Sequence, residues 1–149
     1  MKKTGIFNVQ LMMELTKLRH MDQFVICDAG FPVPKDANVV DVSLIAGVPS
    51  FMLVLKAVLN ELIVEDCTIF DFMKEYNRET YDELQKIFVK QDKKEVSMEA
   101  FIELSANAKL FIRTGELKPA SNILLTSASG AGPKRDPYDV SFSEEELKL

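Results

Sequence analysis

The 149-residue chain predicts an α/β fold: a single domain with a mainly parallel sheet flanked by helices. Three observations carry that expectation. Short continuous apolar runs, such as "QFVICD" at 23–28, have the length and composition of strands covered on both faces. Longer segments with apolar residues three and four apart alternate with these runs. Asparagine or serine stands at the start of several longer segments, where a side-chain oxygen accepts a free first-turn amide.

Taken in order, "NVQLMMELTKLR" (8–19) predicts a helix capped by Asn8, with Val9, Met12, Met13 and Leu18 near one face. The run at 23–28 is the first strand and "NVVDVSL" (38–44) the second, leading into a loop with Gly47 and Pro49. Ser50 opens a strongly apolar helix over 50–62, and "VEDCTIFDF" (64–72) is the third strand. Residues 73–91 read as mostly helix, broken locally at Tyr76 and Asn77. "KKEVSM" (93–98) predicts a short strand, while the overlapping run "KQDKKE" reads as a solvated turn. After Ser97 comes a helix with Phe101 and Leu104 facing inward, and "LFIRT" and "NILLTS" complete the sheet. The domain is expected to span 1–128. Residues 129–149, rich in Gly, Ser, Pro and charge, form a C-terminal tail with a possible cap at Ser143 before a short helix.

Composition narrows the function classes. A net charge of −5 argues against nucleic acid or an anionic membrane as partner. No apolar run is long enough to cross a bilayer, and "MKKTGIFNVQ" lacks the apolar stretch of a secretory signal. Two cysteines, Cys27 and Cys67, fall in expected strands and read as buried thiols of a reducing compartment, the cytoplasm. One histidine and two strand cysteines do not make a metal site, and the six glycines form neither a Walker loop nor GxGxxG. No metal and no cofactor is therefore expected.

His20 is the single histidine, and imidazole is the side chain that exchanges protons near neutral pH. It follows the first helix, with Asp22 and Asp28 as candidate carboxylate partners. Asp28 ends the first strand, and the following Ala-Gly leaves room for a ligand at the strand's carboxyl end, where open α/β sheets bind small molecules. Asn122, after "GELKPAS", is a second expected rim position. On spacing alone, a histidine capping a helix end and an aspartate satisfying a buried turn is the better-supported reading of these residues.

Three stretches, "KLRHMDQFVICDAGFPVP", "VDVSLIAGVPSFMLVLKAVLNELIVE" and "IRTGELKPASNILL", closely resemble segments of the ribose pyranase/fucose mutarotase family in order and spacing. The resemblance implies a ribose pyranase-like fold and a cofactor-free isomerase that interconverts ring or anomeric forms of a free monosaccharide. It implies that His20 is the catalytic proton donor and that Asp28 and Asn122 bind the sugar. It also implies a ring-like homo-oligomer, decamers among them, in which His20 acts on a sugar held mainly by a neighbouring copy. The chain departs from the family pattern at Met98, Ile102 and Ala120, where histidine, lysine and tyrosine are usual, and at Arg19, where glycine is usual. These changes leave three readings open: a mutarotase with altered sugar preference, a non-catalytic monosaccharide-binding or regulatory oligomer, or an enzyme acting on another small carbohydrate. In one version of the first, Tyr138 or Phe142 of the tail supplies the missing aromatic group.

Overall fold

The first strand forms over Gln23–Cys27 (β1), and four consecutive side chains, Phe24 to Cys27, are buried. Successive side chains point to opposite faces, so burial of four in a row requires cover on both sides of the sheet. The computed structural model describes residues 1–129. The other strands are Val39–Asp41 (β2), Val64–Phe70 (β3), Asp92–Val96 (β4), Leu110–Arg113 (β5) and Ile123–Ser127 (β6). The helices are Val9–Lys17 (α1), Phe51–Leu59 (α2), Met73–Tyr76 (α3), Arg78–Ile87 (α4) and Met98–Ser105 (α5). Both α2 and α5 pack on β1, and α5 also packs on β3.

The sheet order is β2-β5-β1-β6-β3-β4. Neighbours β2/β5, β5/β1 and β3/β4 are parallel, whereas β6 runs against both β1 and β3. Reversal of β6 has a direct consequence for the site. Its amino end lies beside the carboxyl ends of β1 and β3, so a residue just before β6 meets a residue just after β1.

Local signals behave as expected at the helix starts. Asn8 Oδ1 accepts the Leu11 amide at 2.9 Å, Ser50 Oγ the Leu53 amide at 3.2 Å, and Ser97 Oγ the Ala100 amide at 3.3 Å. Each such cap stabilises its helix by about 1 kcal/mol. The break near Tyr76 and Asn77 is real: Asn77 separates α3 from α4 and caps the latter through Thr80. Its amide also donates to Ser121 Oγ and the Pro119 carbonyl, tying α4 to the loop before β6. Both thiols are buried and free, and burial pushes each up to about 12.

Other expectations need correction. In α1 the inward residues are Leu11 and Leu15, with Leu18 following, while Val9 and Met13 are exposed. One residue turns a helix by about 100°, so a small error in phase moves a side chain from core to solvent. Leu104 is likewise 47% exposed although Phe101 on the same helix is buried. "KQDKKE" is not a turn throughout: Gln91 is buried, and Asp92 to Glu95 belong to β4, whose exposed charges suit the edge of the sheet. Arg19 closes the end of α1, its guanidinium donating to the Thr16 and Leu18 carbonyls. The tail from 130 onward, with Tyr138, Phe142 and the expected cap at Ser143, lies outside the described residues.

Candidate active site

A cavity of about 410 Å³ opens at the carboxyl ends of β1 and β3, bounded also by α5 and the β5–β6 loop. Asp28 and Asn122 both line it. They are 94 positions apart in sequence, yet the Asp28 amide donates to Asn122 Oδ1 at 3.0 Å and Asn122 Nδ2 donates to Asp28 Oδ2 at 2.7 Å. The remaining carboxylate oxygen, Oδ1, accepts the Gly30 amide at 2.9 Å. A carboxylate offers about four acceptor positions and a carboxamide two N–H donors. The pair is thus fixed in place while keeping acceptor and donor capacity for a ligand.

Two further residues hold this rim, and neither was singled out by sequence reasoning. Glu116 lines the cavity; its Oε1 accepts the Leu117 and Lys118 amides at 2.9 Å each, and its Oε2 accepts the Phe51 amide at the start of α2. A carboxylate at a helix start complements the positive end of the helix. The Glu116 carbonyl in turn accepts the Ala29 amide, joining the loop after β1 to the loop after β5. Arg113 clamps the same segment from below: Nε and Nη2 donate to the Ala29 carbonyl at 3.0 and 2.8 Å, and Nη1 donates to Asp41 Oδ2 at 2.6 Å. Burial opposes charge on Asp41, but hydrogen bonds from Ser43 and Arg113 outweigh it and hold this carboxyl below its usual range. Both Arg113 and Glu116 lie within "IRTGELKPASNILL", so the motif contained the signal without revealing the roles.

Gly115 is required by close approach. A Cβ there would collide with the Val48 and Ile45 carbonyls, and its amide donates to the Pro49 carbonyl at 3.0 Å. The β5–β6 loop and the turn before α2 are thereby locked together.

His20 is not at this rim. It lies before the amino end of β1, with the length of the strand, roughly 16 Å, between it and Asp28. The ring is half exposed, and Nε2 lies 2.9 Å from Glu65 Oε1 at the start of β3. The expected carboxylate partners are engaged elsewhere. Asp22 accepts from Lys109 Nζ at 2.7 Å and from the Arg19 amide at 2.7 Å, and these bonds hold its carboxyl below the usual range. Glu65, 45 positions away, takes that place, and nothing in the local sequence marks it. The structure therefore brings Asp28 and Asn122 together and leaves His20 at the opposite end of the same strand. Among the described residues, no group of three His, Cys, Asp or Glu side chains is arranged to hold a metal ion. None of their helices is long and apolar enough to cross a membrane.

Residues 1–129 match the RbsD / FucU transport protein family. The D-ribose pyranase of Petrotoga mobilis is 42% identical over 127 residues, covering 85% of this chain and 97% of the relative. That of Streptomyces coelicolor is 44% identical over 125 residues, covering 84% and 95%. Bacillus subtilis RbsD, solved in complex with D-ribose, superposes with a TM-score of 0.81 at 38% identity, covering 86% of this chain and 98% of the other. The fucose mutarotase of Streptococcus pneumoniae, solved with L-fucose, shares the fold with a TM-score of 0.65 at 19% identity, covering 81% and 92%. With all of its described residues matched, the chain belongs to the RbsD/FucU family.

Proposed function

We infer that this chain is a sugar isomerase that interconverts ring or anomeric forms of a free monosaccharide, as its pyranase relatives do. The observation that carries this reading is the reciprocal Asp28–Asn122 clamp on a cavity of monosaccharide scale. In such a reaction the bond from the anomeric carbon to the ring oxygen breaks. The anomeric hydroxyl loses its proton as the carbonyl forms, and the ring oxygen gains one. Reclosure by the same hydroxyl on the other face gives the second anomer; reclosure by a different hydroxyl gives the other ring size. Asp28 accepts hydrogen bonds from sugar hydroxyls, and Asn122 donates its remaining N–H. His20 is the proton donor in this scheme, with Glu65 orienting the ring.

Because β1 separates His20 from the Asp28 of its own chain, the scheme places His20 in the cavity of a neighbouring copy within a ring-like homo-oligomer. Exposed apolar side chains support such contacts: Met21 beside His20 in sequence, and Met98 and Leu117 on the cavity lining. Four of the seven methionines, Met1, Met13, Met21 and Met98, are exposed, as suits a surface that meets another copy. The two buried thiols suit the reducing cytoplasm.

Exchange NMR between sugar ring forms tests the reading. The protein should accelerate exchange, His20→Ala should remove about 10²- to 10⁴-fold of that rate, and sugar binding should persist. Mixing His20→Ala with Asp28→Ala chains should restore activity, since each supplies what the other lacks. The separation of His20 from the cavity within one chain favours a second reading, a non-catalytic sugar-binding oligomer; binding with no accelerated exchange would establish it.

A further inference from the structure

The cavity is polar along one edge and apolar elsewhere. The hydrogen-bonding side chains this chain itself supplies are Asp28, Asn122 and Glu116, and three amides already occupy the Glu116 carboxylate. The rest of the lining includes Phe31, Phe70 and Phe72, with Met98 and Ile102 from α5 and Ala120 from the loop before β6. The wall is firmly backed. Phe70 stacks on Phe72 with ring centroids 4.8 Å apart, and Phe101 packs on both Phe31 and Phe70 at 5.7 and 4.7 Å. Ala120 holds a left-handed backbone, φ +58°, and is buried, so its methyl group sits in a fixed place.

A hydroxyl pressed against such a wall gives up water and receives no partner, whereas a C–H or methyl group in the same place loses nothing. We propose that the cavity selects reducing sugars deoxygenated along one edge, deoxypentoses above all, with the remaining hydroxyls turned toward Asp28 and Asn122. This rests on the reading of the cavity as a monosaccharide site and sharpens it by naming the ligand's second face. Anomeric chemistry is unaffected, because the hemiacetal keeps the hydroxyl and the ring oxygen that exchange protons.

The test is calorimetric titration of the full-length oligomer with D-ribose and with 2-deoxy-, 3-deoxy- and 5-deoxy-D-ribose, alongside ring-form exchange NMR on each sugar. At least one deoxypentose should bind about 10- to 100-fold more tightly than D-ribose, the range by which an apolar pocket discriminates against one added hydroxyl. Met98→Gln and Ile102→Gln, which place an amide in the wall from two positions on α5, should reduce that ratio severalfold or more. D-ribose binding as tightly as every deoxypentose would overturn the proposal, as would the absence of binding by all four sugars. A preference unchanged in both glutamine variants would overturn it too, because the wall would not be its source. Exchange rates judge the isomerase reading separately: accelerated exchange with a D-ribose preference defeats the proposal alone, and a deoxypentose preference without exchange defeats the enzyme alone.

Discussion

At the carboxyl end of β1, the Asp28 carboxylate accepts two N–H groups and lies against an Asn122 that is 3% exposed; at the amino end, a half-exposed His20 meets the Glu65 carboxylate across 2.9 Å. The first arrangement is held by three hydrogen bonds, two of them partly buried, within and between the loop after β1 and the loop before β6. The second is a surface pair, whose geometry solvent and salt can loosen. In the proposed scheme the contrast separates two tasks. Binding a sugar's hydroxyls needs a rigid, partly dry rim, and moving protons needs an imidazole with freedom to reach a substrate. In the proposed assembly one end of each strand serves the neighbour's opposite end.

Variants at the two ends should behave differently, and the largest difference is in rate. His20→Ala should slow ring-form exchange by about 10²- to 10⁴-fold while leaving the apparent sugar Kd within a few-fold, as exchange NMR and calorimetry would record. A collapse of binding in that variant would erase the division of labour. Next is Asn122→Ala, which strands the partly buried Asp28 amide and removes a donor to its carboxylate. It should destabilise the fold by about 1–3 kcal/mol and weaken sugar binding together, as denaturant titration and calorimetry would show. Arg113→Met releases the Ala29 carbonyl and the Asp41 pair; about 1–2 kcal/mol of stability should go, with a smaller loss of affinity. Glu65→Gln belongs to the exposed end, so its stability cost should be below about 1 kcal/mol, and its main signature should be slower ring-form exchange with sugar binding unchanged.

The smallest effect is one of pH at the amino end. Lys109 and the Arg19 amide depress the Asp22 carboxyl in the folded state, so its contribution to stability is fully present above the unfolded value of about pH 4. It is lost as pH falls through the lower folded value. Thermal melts below pH 4 should decline less steeply for Asp22→Asn than for the parent chain.

Much of the architecture was legible residue by residue. Caps at Asn8, Ser50 and Ser97 are local, since each side chain bonds an amide three positions on. The apolar runs at β1, β3, β5 and β6 declared buried strands because only cover on both faces removes so much surface from water. Helix phase was harder. In α1 a crowd of apolar residues surrounds the axis, and packing rather than periodicity decided that Leu11 and Leu15, not Val9 and Met13, face the core. Leu104 failed in the same way, lying on a short helix with few turns to average over.

From the chain of residues alone came the strands and helix starts, the rim positions of Asp28 and Asn122, and the family to which the motifs belong. Those features depend on neighbours a few positions away or on the end of a strand. Tertiary structure alone decided that β6 runs antiparallel, so that residues 94 apart share two hydrogen bonds. It also decided that Glu65 rather than Asp22 faces His20, and that Arg113 and Glu116 frame the loop after β1. The reason is physical: a side chain's partner is set by which strand ends lie adjacent in the sheet, and strand order is a property of the whole packed core.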